Sequence, residues 1–257
     1  MMKGNAMKRL TTLLVMVALA AFASSRVLAQ EALSNEELLL ALDDVRFFDA
    51  EVNQIEVSIL SETPDETRDA TIRLQFAELE DGTYSRIEFV SPEELAGQLY
   101  LNTPDAAYFF GPDLDFPIKT SATTEVFGDT AVAQTSGIRF ADKYTIEARR
   151  ESSPEDGLAL LELDLVAVDF TVAFQAITLI VDTELLRPIS MTLFALSGLP
   201  FYEVGFEEYA TREETDDTYV TTQRIENLLL VGRSTLTEIV ALGIADLSAS
   251  LFDPAAL

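Results

Sequence analysis

Apolar and polar residues alternate along most of the chain after its first fifty residues. Ile55, Val57 and Ile59 alternate with polar neighbours, and the same period returns between Ile72 and Phe76 and in later segments. A period of two is typical of strands that bury one face. Short turn-like links join the segments, which favours one antiparallel meander of about ten strands. So many strands curl, so the predicted fold is mainly β, a single curled antiparallel sheet forming an open half-barrel.

A helix is predicted before the first strand. Ser34 and Glu37 have the spacing of a capping box, in which each side chain accepts a hydrogen bond from the other residue's backbone amide. Apolar residues then recur at helical spacing from Leu38 to Val45. We therefore expect one amphipathic helix near the start of the folded domain.

The segment Thr123–Tyr144 interrupts the strand pattern. Asp129 is a possible N-cap, helix-forming residues run from Thr130 to Gln134, and Gly137 is a stop signal. A short helix here could lie as a lid across the open mouth of a curled sheet. An ordinary surface turn fits the pattern equally well.

The lid hypothesis assigns the stretch from Val126 to Gly137 to the cover. Gly128 and Gly137 bound it and would permit a backbone swing. Phe127 and Val132 would then dip into the interior.

The first 29 residues have the pattern of a secretory signal peptide. A basic start precedes an apolar run from Leu10 to Ala23, and a site of small residues ends at Ala29. The alternative is a membrane anchor of roughly 20 residues. Residues 30–257 contain no linker and no repeat, so they are predicted to form one domain, exported to the periplasm.

The charge of the chain limits its partners. The net charge is −27, which excludes nucleic acid as a plausible partner because phosphates would be repelled. An acidic surface adapted to high salt is an alternative explanation of that charge. The chain is also 48% hydrophobic, which indicates a filled interior beneath an acidic surface and not disorder.

The composition also limits catalysis. The chain has no His and no Cys, so it cannot build a Ser-His-Asp or Cys-His site or a His metal site. Two acidic clusters, Asp113 with Asp115 and the stretch Arg212–Thr218, could bind a hard cation weakly, but turns commonly carry such residues. We therefore predict no enzyme activity, no cofactor and no metal site.

Four stretches of the chain carry a family resemblance. They are EFVSPEELAGQLYL, AAYFFGPDLDFPIKTSATTEVFGD, IVDTELLRPISMTLFALSGLP and the terminal LFDPAAL. In order and spacing they resemble the LolA-like outer-membrane lipoprotein-sorting proteins, over most of the chain from the first helix onward.

The resemblance implies an open antiparallel half-barrel with helices as a lid and an apolar cavity inside. In the better-known carriers the cavity shields lipoprotein acyl chains between two membranes. The family also uses an Arg on an early strand to hold the lid closed, and Arg86 is the candidate for that role. Implied partners are an inner-membrane release complex and an outer-membrane acceptor, with the carrier itself a monomer.

The predicted function is thus a periplasmic carrier that binds acyl chains of lipoproteins or lipids and ferries them toward the outer membrane. Shared parity along successive strands predicts that most of the candidate lipid-binding residues face one concave apolar space. The candidates are Ile87, Phe89, Leu99, Leu101, Phe109, Phe127, Val132, Leu163, Ile177, Leu179, Leu193, Tyr202 and Phe206.

Two other classes of function stay open. A sensor or structural module of the same fold would have a filled interior and no lipid cargo. A carboxylate hydrolase would need two carboxylates about 5–10 Å apart in a cleft. That class is disfavoured because acids such as Glu162 and Asp164 are predicted to face outward.

Overall fold

The computed structural model describes residues 33–48, 52–135, 137–152 and 158–256. The chain divides into two compact units, residues 1–38 and 39–257. The predicted signal peptide, residues 1–29, lies outside the described residues and stays a prediction. In the first unit, the Ser34 amide donates to Glu37 Oε2 at 2.8 Å and the Glu37 amide donates to Ser34 Oγ at 3.2 Å. These bonds confirm the predicted capping box at the start of helix α1, Asn35–Asp44.

The second unit is built on a 13-stranded sheet in which every strand pair is antiparallel. Its first six strands are β1 Gln54–Glu62, β2 Thr67–Leu79, β3 Gly82–Ser91, β4 Leu99–Asn102, β5 Ala107–Phe110 and β6 Ile118–Thr120. A separate two-stranded hairpin consists of β7 Glu125–Phe127 and β8 Thr130–Ala131. The remaining strands are β9 Tyr144–Ser152, β10 Leu160–Ala167, β11 Ala176–Asp182, β12 Arg187–Phe194, β13 Pro200–Thr211, β14 Thr218–Asn227 and β15 Ser234–Gly243.

The sheet consists of two meanders joined side by side. Strands β1 to β6 form one meander, β9 to β15 form the other, and β1 pairs with β15 between them. Strands β6 and β9 are the two outermost strands and do not pair with each other, so the sheet stays open. The predicted class, mainly β with one open antiparallel sheet, is confirmed.

The connection between the two meanders contains two short helices, α2 Val132–Thr135 and α3 Phe140–Lys143. The short helix expected in this segment is confirmed, but it begins at Val132 and not after Asp129, because Thr130 belongs to strand β8. The chain reverses at Gly128, whose φ of +59° favours glycine. Short 3-10 turns occur at Glu93–Leu95, Ala249–Phe252 and Pro254–Ala256. None of the helices in the described ranges has the length and apolarity of a membrane-spanning helix.

The register of the strands defines two faces of the sheet. Residues that are Cα partners point to the same side, so Ile87 and its partner Tyr100 share one face, here called the inner face. Arg86 with its partner Leu101 and Glu88 with its partner Leu99 share the opposite, outer face. The main core cluster, which includes Ile59, Ile72, Ile87, Phe89 and Tyr100, lies on the inner face.

Leu99 and Leu101 do not lie in the apolar space that they were predicted to share with the other candidate residues. They form a second core cluster with Phe252, from the 3-10 turn Ala249–Phe252 near the end of the chain. Strand β4 is buried on both faces over Leu99, Tyr100 and Leu101. These two leucines therefore pack on the outer face, away from Ile87 and Phe89.

Candidate functional site

A cavity of about 460 Å³ lies within the second unit and is walled largely by apolar side chains. Its volume falls in the range of about 300–1,000 Å³ that is usual for ligand pockets. The first meander contributes the inner-face residues Ile55, Val57, Ile59, Ile72, Leu74 and Phe76. The second contributes Met191, Val204, Val220, Ile225 and Ile239, and the connecting segments add Phe47, Phe48, Thr130, Gln134, Thr135, Ile138 and Arg139.

Arg46 is the most deeply buried cation at this cavity, with only 7% of its side chain exposed. Its Nη1 donates to the carbonyl oxygen of Ile138 at 2.8 Å and to Asp43 Oδ1 at 3.2 Å. The guanidinium carbon lies 4.1 Å from the centre of the Phe140 ring and 5.5 Å from that of Phe206. Arg46 therefore connects the end of α1, the connection before α3 and the inner face of the sheet.

Asp43 completes this buried group. Its carboxylate accepts hydrogen bonds from the amides of Phe140 and Ala141 at 2.8 and 2.9 Å, at the start of α3. Burial raises the pKa of the Asp43 carboxyl, although Arg46 and the two amides oppose that rise. Burial likewise lowers the pKa of Arg46. Because both pKa shifts have the sign of lost hydration, desolvation outweighs the attraction between the two charges.

The hairpin Glu125–Ala131, here called the covering hairpin, packs on the inner face next to the cavity. Phe127 and Val132 are buried in the main core cluster, where the Phe127 ring lies 6.3 Å from that of Phe89. Thr130 and Gln134 form part of the cavity wall. The hairpin thus belongs to the boundary of the cavity, while its opening as a lid stays a prediction.

A buried carboxylate at the tip of the covering hairpin attaches it to the second meander. Asp129 is fully buried, and its Oδ1 accepts hydrogen bonds from Asn227 Nδ2 at 2.7 Å and contacts Arg233 Nη2 at 3.1 Å. Its backbone amide donates to Thr235 Oγ1 at 2.9 Å. A Cβ on Gly128 would lie 2.6 Å from that same hydroxyl oxygen, so only glycine allows this approach.

Arg86, the candidate for a lid-closing Arg, lies on the outer face. Its Nη1 donates to Gln75 Oε1 and to Glu88 Oε2, both at 3.0 Å. The covering hairpin packs on the opposite face of the same sheet. The arginine that contacts this hairpin at Asp129 is Arg233, whereas Arg86 lies on the opposite face of the sheet. A lid-closing role for Arg86 stays a prediction.

The candidate lipid-binding residues fall into three groups. Phe127 and Val132 belong to the connection that packs on the inner face, and Leu99 and Leu101 lie on the outer face. The strand register places the others on the inner face; they are Ile87, Phe89, Phe109, Leu163, Ile177, Leu179, Leu193, Tyr202 and Phe206. The walls of the cavity are formed by other residues, chiefly on the central strands. Lipid binding by the thirteen candidates stays a prediction.

The sequence analysis missed the polar groups that position the cavity walls. Of the charged residues Asp43, Arg46, Asp129 and Arg233, the sequence analysis considered only Asp129, as a possible helix cap. A charged residue gives no periodic signal of burial, and Arg46 and Asp129 find their partners about one hundred residues away. The one available signal was Arg46 itself, a cation between apolar residues at the end of a helix pattern in an acidic chain.

Acidic groups do not gather into a metal site in the described ranges, where no three of them could hold an ion. Glu162 and Asp164 both pair with Arg150 of the neighbouring strand β9. Leu163 between them is buried on the inner face, so the two acids face outward.

Comparison with known proteins identifies a family and a fold. A family model described as "-like: Uncharacterized protein" matches residues 81–257, more than half of the chain. No curated protein matches the sequence closely enough to count as a relative.

Solved structures that share the fold include the following three. A LolA superfamily protein from Nitrosomonas europaea has a TM-score of 0.78 at 21% identity, with 88% of this chain and 100% of that chain covered. A putative outer membrane lipoprotein-sorting protein domain from Vibrio parahaemolyticus has a TM-score of 0.71 at 16% identity, covering 86% and 97%. A DUF1329 family protein from Desulfovibrio piger also has a TM-score of 0.71 at 16% identity, covering 87% and 97%.

Proposed function

The chain belongs to the uncharacterized family whose model spans residues 81–257, and from its LolA-type fold and its apolar cavity we propose that it is a carrier of acyl chains. Its cargo is the acyl part of a lipid or lipoprotein, held in the cavity of the open sheet. The observation that carries this proposal is the cavity itself, with its apolar inner-face walls in a chain without a reactive His or Cys.

The energetics of such a cavity suit reversible carriage. Removing acyl methylenes from water stabilises a complex by about 0.8 kcal/mol for each buried CH₂. Part of that gain is offset by the cost of association and of ordering a flexible chain. No bond has to be made or broken, so the function requires no catalytic group.

The fold neighbours support the cellular setting of the proposal. One of them is a putative outer membrane lipoprotein-sorting protein domain. With the predicted signal peptide, this favours a periplasmic carrier that takes cargo from an inner-membrane release complex and gives it to an outer-membrane acceptor. The covering hairpin is the element that would move to admit the cargo, since it bounds the cavity.

The proposal is tested by filling the cavity with a side chain. Ile239 lines the cavity, whereas the next residue, Val240, is exposed on the other face of β15. We expect Ile239→Trp to weaken binding of a fluorescent fatty acid at least about tenfold, because the indole occupies the space of the acyl chain. Val240→Trp is the matched control and should bind like the unaltered chain.

Mass spectrometry of lipids extracted from natively purified protein gives an independent readout. A carrier should retain acyl lipids, and the Ile239→Trp variant should retain fewer. A preparation without lipid, together with no fatty-acid binding by the unaltered chain, would favour a sensor or structural module of the same fold.

A further inference from the structure

Three neighbouring turns at one end of the sheet expose large apolar side chains. In an antiparallel sheet, alternate turns emerge at the same edge, so the turns β10–β11, β12–β13 and β14–β15 lie side by side. Phe170, Leu196 and Val231, one from each turn, are 87%, 86% and 91% exposed. Their turns also expose Val168, Leu199, Leu229 and Leu230. These turns, residues 168–175, 195–199 and 228–233, are here called the apolar rim.

Charge is distributed unequally between the two ends of these strands. Asp169 is the single acidic residue of the apolar rim, although the chain has 44 Asp and Glu residues. The turn β13–β14 at the opposite end contains four acids within Arg212–Asp217. Asp169 accepts hydrogen bonds from its neighbour Thr171, and Arg233 contacts the buried Asp129. The exposed surface of the apolar rim therefore offers little charge to a partner.

The turns hold these side chains outward on ordered backbone. Asn227 Oδ1 accepts hydrogen bonds from the amides of Leu229 and Leu230 at 3.1 and 2.9 Å. In the turn β12–β13, the amide of Ala195 donates to the carbonyl oxygen of Leu199 at 2.9 Å. The exposure of the apolar tips is thus built into turns whose backbone polar groups are paired.

From this arrangement we propose that the apolar rim is a membrane-docking surface that inserts into the interface of a lipid bilayer. The three tips are about 10 Å apart, as follows from the spacing of strand pairs. Separate apolar tips suit a fluid lipid interface, which adapts to them, whereas a protein partner needs a continuous complementary surface with polar contacts that fix its register. Only Asp169 is acidic within the rim, but the adjoining turn β1–β2, whose Pro64 lies next to Gly232, exposes Asp65 and Glu66, so the rim fits a zwitterionic bilayer better than an anionic one. This docking surface lies apart from the cavity walls and does not depend on what the cavity holds.

The absence of Trp from the chain makes a clean probe possible. We expect the fluorescence of Val231→Trp to shift to the blue and increase when phosphatidylcholine vesicles are added, because the indole leaves water. Ile244→Trp, at a position 78% exposed beyond the end of β15, is the matched control and should not shift. Both variants carry the same leader, so any contribution from residues 1–29 cancels in the comparison.

Vesicle flotation measures the contribution of the tips to affinity. We expect the triple variant Phe170→Ser, Leu196→Ser and Val231→Ser to partition onto phosphatidylcholine vesicles at least about tenfold more weakly than the unaltered chain. The triple variant Leu185→Ser, Val240→Ser and Ile244→Ser removes exposed apolar residues elsewhere and should partition normally. Unchanged urea midpoints would show that both variants are folded.

Several results would overturn the proposal. One is that the unaltered chain does not associate with vesicles at all. Another is that Trp at positions 231 and 244 shows equal fluorescence shifts, and a third is that both triple variants lose vesicle partitioning to the same extent. A rim variant that dissociates an oligomer, without any vesicle binding by the parent, would instead make this surface an interface between copies. Fatty-acid binding in the cavity, measured in parallel on the rim variant, should be unchanged, so docking and carriage are tested separately.

Discussion

At the scale of single residues, the buried pair Asp43 and Arg46 is the feature with the largest expected effect on stability. Asp43 holds two amides of α3 and one nitrogen of Arg46, and both charged side chains are 7% exposed. Removing one partner leaves the other as an uncompensated buried charge. The pair is therefore costly to break even though forming it gains little.

We expect Asp43→Asn to lower the free energy of unfolding by about 1–3 kcal/mol, because the side-chain amide brings a donor against the backbone amides of Phe140 and Ala141 that the carboxylate accepts from. The measurement is urea denaturation at neutral pH. Asp44→Asn is the matched control, since Asp44 is exposed and one residue further along the chain. A loss of the same size in both variants would mean that net charge, and not the buried pair, determines the effect.

The difference in free energy of unfolding between the unaltered chain and Asp43→Asn should depend on pH, because the pKa of Asp43 is raised in the folded state. The folded state holds the proton more tightly than the unfolded state, whose Asp has a pKa of about 3.9. The linked stabilisation is therefore complete below the unfolded pKa and is lost as pH rises through the folded pKa. We expect the stability gap between the unaltered chain and Asp43→Asn to widen as pH falls from neutral toward about 4. A gap that narrows would instead indicate a lowered pKa for Asp43.

At the scale of elements, the covering hairpin depends on Asp129. Asn227 at the end of β14, Arg233 in the following turn and Thr235 in β15 contact Asp129, which joins the tip of the hairpin to the second meander. Glu125 adds contacts to Tyr202 and Arg233. The hairpin is short, and its own backbone pairing cannot hold it in place. We therefore expect the side-chain contacts of Asp129, together with the buried Phe127, to hold the hairpin on the inner face.

We expect Asp129→Asn to lower the amide protection of residues 125–135 more than that of β1 and β15, as measured by hydrogen exchange. The amide group cannot neutralise Arg233 and brings a donor against the donor of Asn227. We expect a global loss of about 1–3 kcal/mol, because Arg233 keeps some contact with solvent. Asp115→Asn, at an exposed position, is the control. Uniform loss of protection over the whole sheet would contradict a local role for the contact.

The elements also show where sequence patterns succeed and fail. Strand β1 alternates as predicted, with Ile55, Val57 and Ile59 buried, because one of its faces packs and the other stays partly open to water. In β4, Leu99, Tyr100 and Leu101 are consecutive apolar residues, so alternation does not indicate which of them lies on the inner face. The outer face there is covered by a turn about 150 residues further along the chain, and no local pattern contains that information.

Some properties of the whole molecule were predictable from the sequence, and others were not. Antiparallel order and openness follow from local alternation and short links, and these were predictable in kind. The number of strands was underestimated, with about ten expected and thirteen in the described sheet. The cavity lies where the central strands β1, β2, β14 and β15 meet, which follows from the pairing of β1 with β15. That pairing joins the two ends of the folded chain and depends on which remote strand offers a partner, so a single sequence does not reveal it.

At the scale of the whole molecule, the net charge of −27 should make stability depend on salt. Like charges on the surface repel each other, and the folded state concentrates them more than the unfolded state does. We expect Tm to rise between low and high sodium chloride because salt screens this repulsion. Sucrose at matched osmolality controls for effects unrelated to charge. A Tm that is unchanged or lower at high salt would show that repulsion does not limit stability.

An open sheet leaves two strands with unpaired backbone groups, and here both are poor templates for a further strand. Strand β6 has only three residues and follows Pro117, so it offers few hydrogen bonds to a strand of another chain. Strand β9 is longer, but Glu147, Arg149, Arg150 and Glu151 occupy most of its second half. Any chain that paired along β9 would have to match or desolvate these charges. The open sheet is thus protected against aggregation along both of its edges.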